Sequence, residues 1–240
     1  MATPDDLFDD KREKAATAHP SSGHRARLRD RLLSGGDEAL ADYELLEYLL
    51  FGAMRQGDTK PVAKALIAHF GSFEAVLNAD ADALRQVGGV GDTSAAVIKA
   101  VALSARRMAR GRIANKPVLS NWSALQEYLA IDMAHLTRER VRVLYLDTQN
   151  RLILDHLVGD GSIDQASIHP REVIRKAFDI GAAALILVHN HPSGNPEPSK
   201  ADIAITRDIA EAGALLGVTV HDHVIVGKGR QTSFRAEGLL

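Results

Sequence analysis

Cysteine is absent from this 240-residue sequence. The absence excludes disulfide bonds, thiolate zinc fingers, iron–sulfur clusters and a cysteine nucleophile, so any metal site must use His, Asp or Glu. Long apolar runs are also missing, because the longest one, Ala182–Val188, is far shorter than the ~20 residues that span a bilayer. The acidic N-terminal segment has no apolar core and is therefore not a secretory signal. These absences predict a soluble, cytoplasmic protein without membrane contact.

Neither sign of charge predominates, since 29 Lys and Arg face 31 Asp and Glu and the net charge is −2. This balance excludes a globally basic nucleic-acid-binding protein, although a local basic patch is compatible with it. The chain is 45% hydrophobic and 25% charged, which is the usual composition of a globular protein. Its length indicates one or two domains.

The N-terminal part divides into a polar tail and a helical region. Residues 1–20 are charged and have few large apolar groups, so we expect a disordered tail. Residues 21–113 show apolar side chains at helical spacing and few β-branched runs, which predicts a small all-α domain. Gly71 is expected to end one of its helices. The residues that carry this periodicity are Tyr43, Leu46, Leu49, Leu50, Val62, Leu66, Phe70, Val97, Val101 and Met108.

Strand-forming residues become frequent after residue 114. Two segments rich in strand formers, Val141–Leu146 and Leu152–Leu154, flank a polar turn and predict a hairpin. The order β-β-α-β-α-β predicts an α/β domain over residues 114–240. The elements expected after the hairpin are a helix from Pro170, a strand buried on both faces at Ala183–Val188, a helix opened by Ser199 and a strand at Val218–Val226.

The most informative segment is His189-Asn-His191-Pro-Ser-Gly-Asn-Pro-Glu-Pro-Ser199-Lys-Ala-Asp202. Because side chains alternate along a strand, His189 and His191 are expected on one side at the end of the buried strand. Asp202 lies in the first turn of the following helix, from which it can point back to the two imidazoles. Two His and one carboxylate form a ligand set typical of catalytic zinc, with the fourth position open to water.

Parts of this segment also have other interpretations. Ser199 and Asp202 match a helix capping box, which can coexist with metal binding because a capping Asp can leave one oxygen for the ion. Non-haem iron oxygenases use the same ligand types, but they are built on a jelly roll that the predicted element order lacks. A second His-x-His, His221 and His223, lies in a predicted strand without a matching acid, so a supporting or packing role is favoured.

The segment resembles the JAMM (MPN+) metalloprotease signature, which is His-x-His-Pro followed at a fixed spacing by Ser-x-x-Asp. The flanking sequences VRVLYLDTQNRLI, IHPREVIRKAFDIGAAALILVHNHPSG and DHVIVG resemble the RadC branch, and the similarity extends from about residue 22 to residue 240. The resemblance implies an MPN/JAMM-like catalytic domain with a cytidine-deaminase-like mixed sheet and flanking helices. The family pattern often has Asp in place of Asn195 and an apolar residue in place of His221.

By this resemblance, His189, His191 and Asp202 bind one zinc ion per chain. Ser199 then helps to hold the oxyanion or the metal-bound water.

The resemblance also requires a glutamate that takes the proton of the water. Glu139 leads into the first core strand, which matches the family arrangement. Glu172 lies in the first turn of a predicted helix, where the helix dipole alone favours a carboxylate. Glu197 lies between the ligands but is flanked by prolines. Glu139 is favoured, and the other two stay open.

In the helical region, Leu84–Lys99 resembles a helix-hairpin-helix motif. A Gly-x-Gly hairpin exposes backbone N–H groups that can receive a phosphate, so Gly89, Gly91 and Lys99 are candidate DNA contacts. Basic and acidic side chains are nevertheless equal in number over residues 1–115. We expect weak binding of duplex or single-stranded DNA at most, and a role in packing or oligomerisation stays open. The basic clusters that favour DNA are Arg25, Arg27, Arg29 and Arg31, and Arg106, Arg107, Arg110, Arg112 and Lys116.

The leading hypothesis is a zinc-dependent hydrolase of the JAMM type that cleaves a peptide or isopeptide bond in an unidentified substrate. A second hypothesis is a DNA-binding accessory protein in repair or recombination, in which the metal is structural. Nucleic-acid hydrolysis at the same site is disfavoured, because ligands for a single metal are evident and many nucleases use two. The sequence leaves the oligomeric state open.

Overall fold

The computed structural model describes residues 20–36, 38–54, 57–114, 116–161 and 168–240. They form two compact units, one made of residues up to 76 and residues 81–98, the other of residues 77–80 and 99–240. The predicted tail lies outside the described residues apart from Pro20, at which the first helix begins. The predicted domain boundary at residues 113–114 stays a prediction.

The N-terminal part of the described chain is helical, as the periodicity of its apolar residues predicts. Gly71 ends α3 in the left-handed conformation, with φ of 93° and its N–H bonded to the carbonyl of Ile67, which confirms its expected role. The helices are α1 (Pro20–Ser34), α2 (Asp42–Phe51), α3 (Lys60–Phe70), α4 (Phe73–Asn78), α5 (Ala81–Arg85) and α6 (Asp92–Ile113).

Helix α6 buries a different stripe from the predicted one. Met108 is 76% exposed, and Val97 and Val101 are half-buried. The prediction followed the largest apolar side chains, whereas the buried stripe includes small alanines. Its members are Ala95, Ile98, Ala102, Ala109 and Ile113. None of the helices in the described ranges, α6 included, is both long enough and apolar enough to cross a membrane.

The second unit contains a five-stranded mixed sheet with helices on both faces, which confirms the predicted α/β class. The strand order is β2-β1-β3-β4-β5, in which β3 and β4 are parallel and the other neighbours are antiparallel. The strands are β1 (Arg140–Leu146), β2 (Leu152–Asp160), β3 (Ala184–Asn190), β4 (Thr219–Val226) and β5 (Gln231–Ser233). The helices are α7 (Trp122–Met133), preceded by a 3₁₀ turn, α8 (Pro170–Asp179) and α9 (Lys200–Leu215).

Strand β3 lies in the centre of the sheet and is buried over its whole length. Ile186 and Val188 belong to a core that includes α7, whereas Leu185 and Leu187 belong to a core with α8 and α9. Burial on both faces explains the continuous apolar run in the sequence. His189 continues this strand on the face that carries α8 and α9.

Helix α7 and strand β5 are additions to the predicted order. Leu125, Leu129 and Met133 recur every four residues along α7 and are buried in the core on its side of the sheet. Strand β5 extends the sheet by pairing antiparallel with the end of β4. Both additions lie beside the central strands and leave the predicted order of the other elements intact.

A β-bulge interrupts the pairing of β3 with β4. Leu185 and Ile186 are consecutive in β3, but they pair with Val220 and Asp222 of β4. His221 is therefore the extra residue of the bulge. The alternation of side chains shifts by one at this point. Val220 accordingly lies in the core with α8 and α9, whereas Val224 lies in the core with α7. His223 is thereby turned to the same face of the sheet as His189.

A charge network joins α7 to the first two strands. Arg142 of β1 is paired with Asp132 of α7, and its Nε donates to Oδ1 of Asp155 at 2.7 Å. Tyr128 also donates its hydroxyl to Asp155. The Asp155 side chain is buried and that of Arg142 nearly so, so each charge depends on the other for compensation.

Replacing Arg142 by Leu is expected to lower the free energy of unfolding by about 3 kcal/mol, because the buried Asp155 loses its counter-charge and Asp132 keeps only its longer pair with Arg106. Urea denaturation followed by circular dichroism measures the loss. Arg140→Leu is the matched control on the same strand, since its pair with Asp160 is more exposed than that of Arg142 with Asp155 and should contribute less than about 1 kcal/mol. Equal losses in the two variants would show that the network does not stabilise the unit.

Candidate metal centre

Two histidine rings meet where strand β3 ends. His189 is only 1% exposed, and His191 is half-buried. Their Nε2 atoms are 2.9 Å apart, as expected for side chains two residues apart on one side of the chain. The backbone N–H of His191 donates to the carbonyl of Val226 at 3.0 Å, which keeps the end of β3 beside β4.

Asp202 reaches these rings from the first turn of α9. Its Oδ1 lies 3.3 Å from Nε2 of His189, and its Oδ2 lies 3.7 Å from Nε2 of His191. Ser199 caps the helix, with its Oγ accepting from the N–H of Asp202 at 3.1 Å and its own N–H donating to Oδ2 at 2.8 Å. The capping box and a possible metal ligand therefore coexist, because Oδ1 remains directed at His189.

Glu139 approaches the same point from the position just before β1. Val141 pairs with His189 in the antiparallel β1–β3 ladder, so the register puts Glu139 opposite position 191. Its Oε1 is 3.9 Å from Nε2 of His189. Glu139, His189 and His191 offer ligand atoms within 4.8 Å of one another and could bind a metal ion.

The spacing of the donor atoms fits a single small cation. Atoms about 2.0–2.1 Å from a tetrahedral zinc ion lie roughly 3.3 Å from one another. The Nε2 atoms of His189 and His191 are 2.9 Å apart, and Nε2 of His189 is 3.3 Å from Oδ1 of Asp202, so both separations are close to that value. The 3.7 Å separation from His191 is measured to Oδ2, the Asp202 oxygen that the helix cap also uses. Imidazole and carboxylate donors suit zinc and several other divalent transition metals.

The buried histidines of the centre are neutral near pH 7. Burial lowers the pKa of His189 to about 4, an effect that Asp202 opposes and His191 reinforces. Burial also lowers the pKa of His223 well below its usual value, with a further contribution from the two neighbouring rings. Neutral imidazole is the form that binds a metal.

The other ring nitrogen of each histidine is also engaged. Nδ1 of His191 is 2.8 Å from the carbonyl oxygen of Asn195. Because a carbonyl can only accept, this Nδ1 carries the proton and Nε2 keeps its lone pair. Nδ1 of His189 is 2.8 Å from Nε2 of His223, so His223 supports the centre from behind. His221 lies apart from it, with its Nε2 2.6 Å from Oδ1 of Asn150.

The side chain of Asn190 holds the backbone on both sides of Glu139. Its Oδ1 accepts from the N–H of Arg140 at 2.9 Å, and its Nδ2 donates to the carbonyl of Arg138 at 3.1 Å. The buried amide thus acts as a peptide unit and continues the hydrogen bonding of β1 with β3 to the residues that precede β1. This clamp fixes the position from which Glu139 faces the rings.

The loop between the ligands is held against the turn that joins β4 to β5. The N–H of Lys228 donates to the carbonyl of Gly194 at 3.1 Å. A Cβ atom at Gly227 would lie 2.5 Å from that same oxygen, so the close approach requires glycine. The contact fixes the path of the loop from His191 to the start of α9.

The other two candidate bases lie outside the centre. Glu172 pairs with Arg175 at 2.8 Å on the surface of α8. Glu197 accepts from Nδ2 of Asn195 at 3.2 Å. Neither carboxylate approaches the ring of His189 as those of Glu139 and Asp202 do.

The predicted DNA contacts lie at a helix start and within that helix. Gly89 has φ of 87° and precedes α6 together with the exposed Gly91. The carboxylate of Asp92, the first residue of α6, lies at this helix start and is paired with Arg85 at 2.9 Å. The ammonium of Lys99 donates to the carbonyl of Ala79 at 2.8 Å and is therefore engaged within the protein. DNA binding stays a prediction.

Two parts of the chain match known family profiles. The profile described as RadC-like JAB domain matches residues 119–239, and the profile described as UPF0758 N-terminal matches residues 22–96. A UPF0758 protein of Rhodobacter capsulatus is 51% identical over 213 residues, which are 89% of this chain and 100% of that protein. A UPF0758 protein of Ruegeria pomeroyi is 48% identical over 217 residues, which are 90% and 97% of the two chains.

Replacing Asn190 by Asp is expected to cost about 1–3 kcal/mol of unfolding free energy. The carboxylate can still accept from Arg140, but its second oxygen faces the carbonyl of Arg138 without a proton to donate. Urea denaturation at pH 7 measures the loss. Asn195→Asp, on the exposed loop of the same centre, is the control and should change stability by less than about 0.5 kcal/mol. The clamp would be contradicted if N190D were as stable as N195D.

Proposed function

The chain belongs to the RadC family, and on that basis we propose that it is a zinc-dependent hydrolase that cleaves a peptide or isopeptide bond with activated water. Its C-terminal part belongs to the JAB domain family, many members of which are metallohydrolases. The observation that carries the proposal is the convergence of two imidazoles and two carboxylates at the end of β3.

In this proposal His189, His191 and Asp202 hold the zinc ion. The Oδ1 of Asp202 lies closer to the His189 ring than the Oε1 of Glu139 does, at 3.3 against 3.9 Å. The capping box also fixes Asp202 at the start of α9. When bound, zinc supplies Lewis acidity that polarises a substrate carbonyl and lowers the pKa of a water molecule.

Glu139 is the general base and then the general acid. Its side chain is largely buried but still reachable from solvent, and Asn190 fixes its backbone. As the water oxygen bonds to the carbonyl carbon, one proton of the water passes to the Glu139 carboxylate. When the C–N bond breaks, Glu139 delivers this proton to the leaving amine nitrogen.

Ser199 supplies a hydrogen-bond donor to the substrate oxyanion. Its Oγ accepts from the N–H of Asp202, which leaves its own hydroxyl hydrogen for donation. A fixed donor directed at developing negative charge stabilises the transition state. The cap of α9 therefore serves the reaction as well as the helix.

Asp202→Ala and Asp202→Asn are expected to lose the zinc that wild-type protein retains at roughly one ion per chain. The Asn variant keeps an oxygen for the helix cap, so its loss of zinc reports the missing charge and not a damaged helix. Elemental analysis after dialysis against zinc measures the content. Asp208→Ala, at an exposed position on the same helix, should keep its zinc. Zinc retained by both Asp202 variants would contradict the ligand assignment.

Glu139→Gln is expected to keep zinc and to slow hydrolysis by about 10²–10⁴-fold. Suitable substrates are two pools of fluorescence-quenched peptides, one joined by α-amide bonds and one by lysine ε-amide bonds. Glu172→Gln and Glu197→Gln are expected to keep the wild-type rate, since their carboxylates lie outside the centre. Undiminished turnover by zinc-loaded E139Q would refute its role. Loss of zinc in E139Q with zinc retained in D202N would make Glu139 a ligand.

A further inference from the structure

We propose that His223 and Thr206 form a one-way hydrogen-bond relay that fixes the tautomer of His189, with its Nε2 lone pair directed at the metal centre. The inference rests on the proposed function, because it gives these residues a role towards the metal. The motif and the ligand set assign no role to either residue.

The relay consists of three short contacts in the interior. Nδ1 of His189 is 2.8 Å from Nε2 of His223, whose Nδ1 is 2.6 Å from Oγ1 of Thr206. The Thr206 hydroxyl lies 2.5 Å from the backbone carbonyl oxygen of Asp202. All of these residues are buried, so water does not compete for these groups.

The last contact sets the direction of the others. The Asp202 carbonyl can only accept, so the single hydroxyl hydrogen of Thr206 is donated to it. The Thr206 oxygen must then accept from Nδ1 of His223, which leaves Nε2 of His223 without a proton. That nitrogen accepts in turn from Nδ1 of His189. Nε2 of His189 therefore keeps its lone pair and points at His191 and the Asp202 carboxylate.

The reverse direction is disfavoured by the same contact. If Thr206 donated to His223, its oxygen and the Asp202 carbonyl oxygen would be two acceptors facing each other at 2.5 Å, a repulsive contact that the forward direction avoids. His189 would then carry its proton on Nε2, where Nε2 of His191, at 2.9 Å, and Oδ1 of Asp202, at 3.3 Å, would both attract it. That tautomer cannot bind a metal through Nε2. The relay thus opposes a competing hydrogen bond within the site.

The two histidines of the centre reach the same tautomer by different routes. His191 lies near the surface, where the Asn195 carbonyl accepts directly from its Nδ1. His189 is buried between β4 and α9. The carbonyl that fixes its tautomer is that of Asp202, which it reaches through His223 and Thr206. The relay ends on the backbone of Asp202, so the residue that offers a carboxylate to the metal also sets the ring of a neighbouring ligand.

The test compares Thr206→Val, which removes the hydroxyl with little change in shape, with Thr206→Ser, which restores it. Long-range ¹H–¹⁵N correlation spectra of the histidine rings report the tautomer in the metal-free protein. Competition with a chromogenic chelator reports zinc affinity. We expect the Nδ1–H form of His189 in the wild type and the Nε2–H form in T206V, with about 10–100-fold weaker zinc binding. T206S should recover both, and Thr219→Val, at an exposed position on β4, should change neither.

These readouts separate the relay from the proposed function. A wild-type protein that binds no zinc would refute the metal centre, while the tautomer in the metal-free protein would still decide the direction of the relay. The relay is overturned if the metal-free wild type has the proton of His189 on Nε2. It is also overturned if T206V keeps the Nδ1–H form, or if T206V loses zinc affinity and T206S does not restore it.

Discussion

The position of one buried imidazole constrains the rest of the site. His189 extends a strand that is covered on both faces, so its ring cannot turn to water, and both ring nitrogens need partners inside the protein. Nε2 faces His191 and Asp202, and Nδ1 faces His223. Helix α9 and strand β4 therefore have to approach the end of β3 closely. The glycine contact between the ligand loop and the β4–β5 turn permits part of that approach.

Sequence reasoning was most informative where the chemistry is local. His189, His191 and Asp202 follow one another through a strand, a loop and a helix start, so spacing alone brings them near one another. Glu139 is different, because it precedes another strand, β1, and although the sequence favoured it, two other glutamates stayed open. Its approach to the rings depends on the antiparallel register of β1 with β3, which the sequence does not display.

The features missed from the sequence depend on tertiary context. In the sequence Thr206 is an ordinary helical residue, because its contact with His223 forms only when α9 packs beside β4. Asn190 appears as a spacer between two histidines, although its amide continues the sheet. In α6, the size of Met108 suggested burial while the buried stripe includes alanines. In each case the partner is distant in sequence or the signal is too small to stand out, so periodicity and motif spacing could not detect it.

At the bulge in β4 the backbone conformation matters more than the side chain of the extra residue. His221 contributes one unpaired position, and that position decides which side of the sheet every later residue of the strand occupies. The family resemblance admits an apolar residue there, and such an exchange leaves the parity of the strand unchanged. If the strand instead ran through His221 in regular alternation, Ile225 would exchange faces with its neighbours Val224 and Val226, and His223 would turn to the side opposite His189. What this point of the chain must preserve is the irregular backbone, whatever side chain it carries.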